Sequence, residues 1–197
     1  MTSKTSVVTP ERFATGMSTF KEWMAAIGQR QPEFQRHYDE YEPKADDVAY
    51  FKKAVAEHGV KALVLGEDWC PDVWRGLPTI AKLAEQAGME VRYFMRDQNK
   101  DIMSEFLNHG DFESIPTIVF YDKNHRYLGH WIERPVLAQE EMPAVRAKVM
   151  PNPMPERDTP EYAAAMDAAR EANIAAAGPW RHAEIAEIRE LLDRALA

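Results

Sequence analysis

The sequence predicts an α/β protein, a mixed central sheet flanked by helices, with helical extensions at the N- and C-termini. Three observations carry this. Helix and strand signals alternate through the middle of the chain in the order α-β-α-β-α-β-β-α. The first strand, "VKALVLG" (60–66), is a continuous apolar run bounded by Gly66, as expected for a strand covered on both faces. The last two strands are separated only by "KNH" (123–125), which makes a hairpin. The helical crossovers imply parallel neighbours, and the hairpin adds antiparallel pairing.

The elements follow in order. "STFKEWMAAI" (18–27) places Phe20, Trp23, Met24 and Ile27 on one helical face. "PEFQRHYDEY" (32–41) reads as a second helix opened by Pro32. "ADDVAYFKKAVAEHG" (45–59) is a helix with Asp46 or Asp47 as cap and Gly59 as stop. "PDVWRGLPTIAKLAEQAG" (71–88) is a helix with Cys70 near its N-cap, Pro71 at its first position and a kink at Pro78. "MEVRYFMRD" (89–97) is a strand, and "KDIMSEFLNHG" (100–110) a short helix closed by Gly110. "TIVFYD" (117–122) and "RYLGHWIE" (126–133) form the hairpin. "VLAQEEMPAVRAKVM" (136–150) is a helix interrupted by Pro143. "PNPMPERDTP" (151–160) is a semi-rigid connector. Two alanine-rich helices are expected beyond it, about 160–177 and 180–196, broken at Gly178-Pro179. Ile185, Ile188, Leu191, Leu192 and Leu196 form a stripe that either packs on the domain or makes a homodimer interface.

The chain of 197 residues is 45% hydrophobic and 28% charged, the composition of a globular protein with one core. No apolar run approaches the length of a membrane span, and the opening "MTSKTSVVTPERF" lacks a signal-peptide core. A cytoplasmic protein without a membrane partner is expected. A net charge of −8 with no basic cluster argues against nucleic acid. The six histidines show no metal-ligand spacing and the single cysteine has no partner, so neither a metal nor another cofactor is expected. No phosphate loop or nucleophile elbow occurs.

That single cysteine, Cys70, sits in "EDWCPDVWRGLP" (67–78), between Trp69 and Pro71. With "RDQN" (96–99), Ile115-Pro116-Thr117 and the kinking Pro78, the segment resembles the thioredoxin superfamily. It is most similar to a bacterial single-cysteine group with a W-C-[GP]-D motif, a later "SIPT" and a "W-x-x-R-P" ending, here Trp69–Asp72, Ser114–Thr117 and Trp131–Pro135. The resemblance covers about 46–150. It implies a thioredoxin-like domain there, an N-terminal helical extension over 1–45, and a proline-rich connector with C-terminal helices over 151–197. It also implies a cis bond before Pro116, holding the chain beside the thiol with Ile115 backbone groups available to an extended peptide or a glutathione-like thiol.

Three positions depart from the thioredoxin pattern. Val73 stands where the second cysteine would be, so Cys70 cannot close an internal disulfide. Val64 replaces the buried aspartate that assists proton transfer, and Tyr93 replaces its accompanying lysine.

A thiol at a helix N-terminus meets free N–H groups and a partial positive charge, which favour the reactive thiolate. Glu67, Asp68 and Asp72 oppose this. Arg75, one turn from Asp72, is the nearby cation and is placed to pair with it. The sign of the net shift is left open. Asp72 has two readings, a first-turn residue that stabilises the helix or a proton relay to Cys70. Trp69, Pro71, Val73, Arg75, Ile115 and Pro116 are the candidate groove, with Trp74 and Trp131 as further apolar wall. Arg134 meets either an acidic ligand or a neighbouring carboxylate.

Three functions fit. The first is monothiol exchange, in which Cys70 forms a mixed disulfide with a protein disulfide or a glutathione-type thiol and an external thiol resolves it. The second is a non-catalytic protein-binding module that keeps the thioredoxin fold. The third is a peroxide sensor in which Cys70 is oxidised to sulfenic acid.

Overall fold

The computed structural model describes residues 6–197; residues 1–5, the start of the polar lead-in, lie outside the described residues. Four strands, β1 (Lys61–Gly66), β2 (Val91–Met95), β3 (Thr117–Tyr121) and β4 (Tyr127–Ile132), form one sheet in the order β2-β1-β3-β4. β1 runs parallel to β2 and antiparallel to β3, and β3–β4 is the hairpin. The helices are α1 (Pro10–Ala14), α2 (Phe20–Ala26), α3 (Gln31–Glu40), α4 (Ala45–His58), α5 (Pro71–Ala87), α6 (Lys100–Met103), α7 (Val136–Ala147) and α8 (Pro160–Leu196). The expected mixed sheet flanked by helices is present.

Register and contacts assign the two faces. Ala62, Val64 and Gly66 share a face with Tyr93, Ile118, Phe120 and Trp131. A Cβ on Gly66 would lie 2.7 Å from Val73 and 3.4 Å from Trp23, so α5 and α2 cover this face. A Cβ on Gly129 would lie 2.8 Å from Leu191, and Trp131 Nε1 donates to Glu187 at 2.8 Å, so the C-terminal half of α8 covers it too. The opposite face carries α1, where Phe13 meets Tyr121 edge-on and Lys61 lies over the Phe13 ring. All of β1 except Lys61 is buried, as a doubly covered strand requires.

Local chemistry fixes several boundaries. Thr19 caps α2 by accepting from Glu22 N. Gly59 and Gly88 end α4 and α5 in the left-handed conformation. The cap expected at Asp46 or Asp47 is not formed. The N-cap lies two to three residues earlier, at Lys44, so that α4 begins at Ala45, and the buried Asp47 instead accepts from Arg189 of α8 at 2.6 Å. The helix expected over 100–110 stops after Met103. The Ser104 hydroxyl turns back to the Asp101 carbonyl at 2.8 Å, a local bond that competes with helix continuation. His109 and Gly110 then take left-handed conformations in a tight turn closed by Asn108 and Phe112.

The two C-terminal helices are one. α8 runs for 37 residues through Gly178 and Pro179. An internal proline costs about 3 kcal/mol of helix stability, and here burial on both sides of it outweighs that. Ala177 and Trp180 pack with Ala138 and Met142 of α7. Ile185, Ile188 and Leu192 are fully buried in the main core. The leucine-isoleucine stripe is thus covered by the chain's own sheet and helices.

Candidate functional site

Cys70 is the N-cap residue of α5, in extended conformation, with Pro71 beginning the helix. The apolar strand β1 ends at Gly66, and the turn Glu67–Trp69 delivers the thiol to the helix start. Opposite it, the chain enters β3 through Ile115 and Pro116, whose peptide bond is cis. The Cys70 thiol points at this segment and donates to the Ile115 carbonyl at 3.6 Å.

The surrounding carboxylates divide into two groups. Glu67 accepts from the Asp97 amide at 2.6 Å, and Asp68 accepts from Gly28 and Gln29. Both are therefore engaged by loops away from the thiol. Asp72 is buried, and both of its oxygens are taken: Oδ1 lies 2.8 Å from Arg75 Nη1 and Oδ2 lies 2.7 Å from Arg134 Nη2. Arg134 also pairs with Glu133. The expected Asp72–Arg75 pair forms, and Arg134 meets a neighbouring carboxylate.

Burial is the main force on the thiol and pushes its pKa up. The negative charges of Asp72 and Glu133 push the same way, while the Val73 and Asp72 amides pull it down. The open question of sign is thus answered: the thiol is raised above its ordinary value, and the helix terminus does not overcome desolvation.

The candidate groove is only partly a groove. Trp69 is exposed and lies beneath the Arg96 guanidinium at 5.2 Å. Pro71 is exposed beside it. Val73, Arg75, Ile115 and Pro116 are buried, so they shape the site from beneath rather than line an open surface. Trp74 is buried and donates to the Asp68 carbonyl at 2.6 Å, and Trp131 is buried against α8. Both are packing residues.

Val64 and Tyr93, the two residues that replace the proton-relay pair, are register partners on β1 and β2 and are both buried. An apolar side chain and a tyrosine thus fill the space that pair would occupy. A buried acid appears elsewhere. Glu184 of α8 is fully buried, neither oxygen has a hydrogen-bond partner among the described residues, and its pKa is raised to about 8 by desolvation. A Cβ on Gly76 would lie 3.2 Å from Glu184 and 2.9 Å from Pro116, so the acid and the cis-proline both pack against α5 at Gly76. Glu133 and Glu184 escaped the sequence reading. Glu184 had a signal, since it interrupts the apolar face of Ile185 and Ile188; Glu133 had none.

No group of three or more potential metal ligands occurs among the described residues. No helix among them is long and apolar enough to cross a membrane. The site holds one nucleophile, a paired carboxylate and a cis-proline backbone facing the thiol.

A family model described as thioredoxin matches residues 17–148. No curated protein matches the chain. A crystal structure of a protein of unknown function from Pseudomonas aeruginosa superposes with a TM-score of 0.63 at 17% identity, covering 98% of this chain and 99% of that one. An HIV epitope scaffold superposes with a TM-score of 0.62 at 18% identity, covering 97% and 99%. At these identities the likeness is one of fold, and it spans the whole chain, terminal helices included.

Proposed function

The chain belongs to the thioredoxin family, and on that premise we propose that it is a monothiol exchange protein of the single-cysteine kind, acting through a mixed disulfide at Cys70. The observation that carries this reading is the thiol at the N-cap of α5 aimed at the Ile115 carbonyl 3.6 Å away. That arrangement holds the nucleophile against a backbone segment on which an extended peptide or glutathione would lie.

The chemistry needs two external sulfur partners. The Cys70 thiolate attacks one sulfur of a disulfide, forming a new S–S bond and releasing the other sulfur as a thiolate that takes up a proton. A second thiol then attacks the partner's sulfur, and Cys70 leaves and is reprotonated. No net electrons stay on the protein. A raised Cys70 pKa has two effects: little thiolate at neutral pH, so attack is slow, and a poor leaving group, so the mixed disulfide is long-lived. A reducing compartment such as the cytoplasm would supply the resolving thiol.

Asp72 serves this site by holding Arg75 and Arg134, since neither oxygen is left over for a proton relay. A non-catalytic binding module is favoured by one observation, the partial burial of the thiol, which pushes its pKa up. The deciding experiment is reduction of a glutathionylated peptide with glutathione as the second thiol, by wild type and by Cys70→Ser. Turnover by wild type and none by the variant supports exchange; no turnover by either leaves the binding module.

A further inference from the structure

Beside the thiol site lies a cavity of about 200 Å³, bounded by the first turn of α5, by α3, by the end of α7 and by the N-terminal half of α8. That is far above the ~10–15 Å³ that one water molecule needs. Its wall is apolar and adaptable, formed by Trp74, Met142, Met166, Ile174 and Trp180.

The polar groups that reach it have one property in common: their acceptors are already used, and what remains is positive charge without a free carboxylate to match it. Asp72 gives both oxygens to Arg75 and Arg134. The Asn173 amide oxygen, turned toward Arg146, accepts from its Nε at 3.0 Å and Nη2 at 3.2 Å. His37 Nδ1 accepts from Arg181 at 2.7 Å, which leaves its Nε2 as a donor. Meanwhile Arg75, almost fully buried, keeps an unpartnered Nε among the described residues. Arg146 faces no carboxylate among them. Arg170 is tied only to the exposed Asp167, and its guanidinium lies 6.0 Å over the Trp74 ring. Three arginines and one already-neutralised carboxylate thus face an apolar space, in a chain whose net charge is −8.

We infer that this cavity binds a small amphipathic anion, with its apolar body against Trp74, Met166 and Trp180 and its carboxylate on Arg146 and Arg170. Arginine is suited to a carboxylate because its planar donors form paired, charge-assisted bonds. The site goes beyond the exchange reaction and stands without it, since Cys70 does not line the cavity.

The test uses octanoate as probe, titrated calorimetrically into the full chain at low salt, with octylamine and octan-1-ol in parallel. Saturable one-to-one binding of octanoate is expected, with both other probes at least about tenfold weaker, a difference of about 1.4 kcal/mol. Octanoate should shift the indole N–H resonances of Trp74 and Trp180. Arg146→Ala should weaken it about tenfold, and Arg146→Lys should keep part of the affinity. No saturable binding, equal binding of octylamine, indole resonances that do not move, or an Arg146→Ala variant that binds as wild type would each overturn the inference. Should Arg146→Ala fail to fold, the three-probe comparison and the indole shifts on wild type still decide it.

Discussion

Arg134, just beyond the end of β4, reaches back to place Nη2 2.7 Å from Asp72 Oδ2, in the first turn of the thiol-bearing helix. Two separated sequence segments, Trp69–Asp72 and Trp131–Pro135, are thereby one structural unit. Arg75 completes it, holding the other Asp72 oxygen and donating to the Glu133 carbonyl at 3.2 Å.

From this unit follows a prediction about the thiol. Asp72→Asn removes a charge that raises the Cys70 pKa and leaves the Arg75 and Arg134 guanidinium groups without their shared carboxylate in the first turn of α5. Alkylation at pH 7.5 should become several-fold faster, with its pH profile shifted to lower pH. Stability should fall by about 3–5 kcal/mol, because buried charges lose their partner. Iodoacetamide kinetics and urea unfolding check the two together. An unchanged or higher thiol pKa would mean that Asp72 does not act on the sulfur.

Glu184 predicts a pH dependence of stability. Desolvation is the largest influence, Arg75 and Arg181 oppose it, and Glu187 and Asp72 reinforce it. Between the ordinary value of 4.5 and about 8 the folded chain holds a proton that the unfolded chain has released. Stability therefore falls as pH rises through that window. His37, lowered from 6.5 to about 3 chiefly by burial, acts oppositely, and its contribution is lost as pH falls from 6.5 toward 3. The stability of Glu184→Gln minus that of wild type should therefore grow steadily from pH 5 to pH 8. A flat difference would mean that the carboxyl is ionised in the folded protein.

Ile188 tests the standing of the C-terminal helix. It is fully buried in the same core as β1 and α5. Ile188→Ala should cost about 2–5 kcal/mol in urea unfolding, in one cooperative transition. A cost below ~1 kcal/mol, or a separate early transition, would show that α8 is an appendage.

Val73 occupies the position one helical turn from Cys70 and is fully buried beneath it. Val73→Cys should cost about 0.5–1.5 kcal/mol for the lost methyl. It should also release a mixed disulfide from Cys70 without an external thiol. In wild type the same adduct should persist until thiol is added. Equal persistence in both would mean that residue 73 cannot reach the sulfur.

Much of the fold was legible because its signals are local. The apolar run 60–66, the stops at Gly59 and Gly88 and the three-residue hairpin are each set by neighbouring residues. That Cys70 faces the Ile115–Pro116 segment was legible because the motif carries both. What was not legible depends on contacts distant in sequence. Gly178-Pro179 reads as a break, yet α7 and the main core hold α8 continuous through it. Asp47 reads as a cap, yet Arg189 claims it from 142 positions away. The thiol pKa depends on how deeply the sulfur is buried, and no spacing of charges in the sequence reports that.

The exchange proposed for Cys70 runs between external sulfur partners through a thiol of raised pKa. Its most direct test is the intact mass of the folded protein after incubation with oxidised glutathione across a range of pH. One glutathione adduct should form on Cys70, at a rate still rising above pH ~8.5, and added thiol should remove it. No adduct on the folded protein at any pH, with ready reaction once it is unfolded, would contradict the claim and show a cysteine closed off from chemistry.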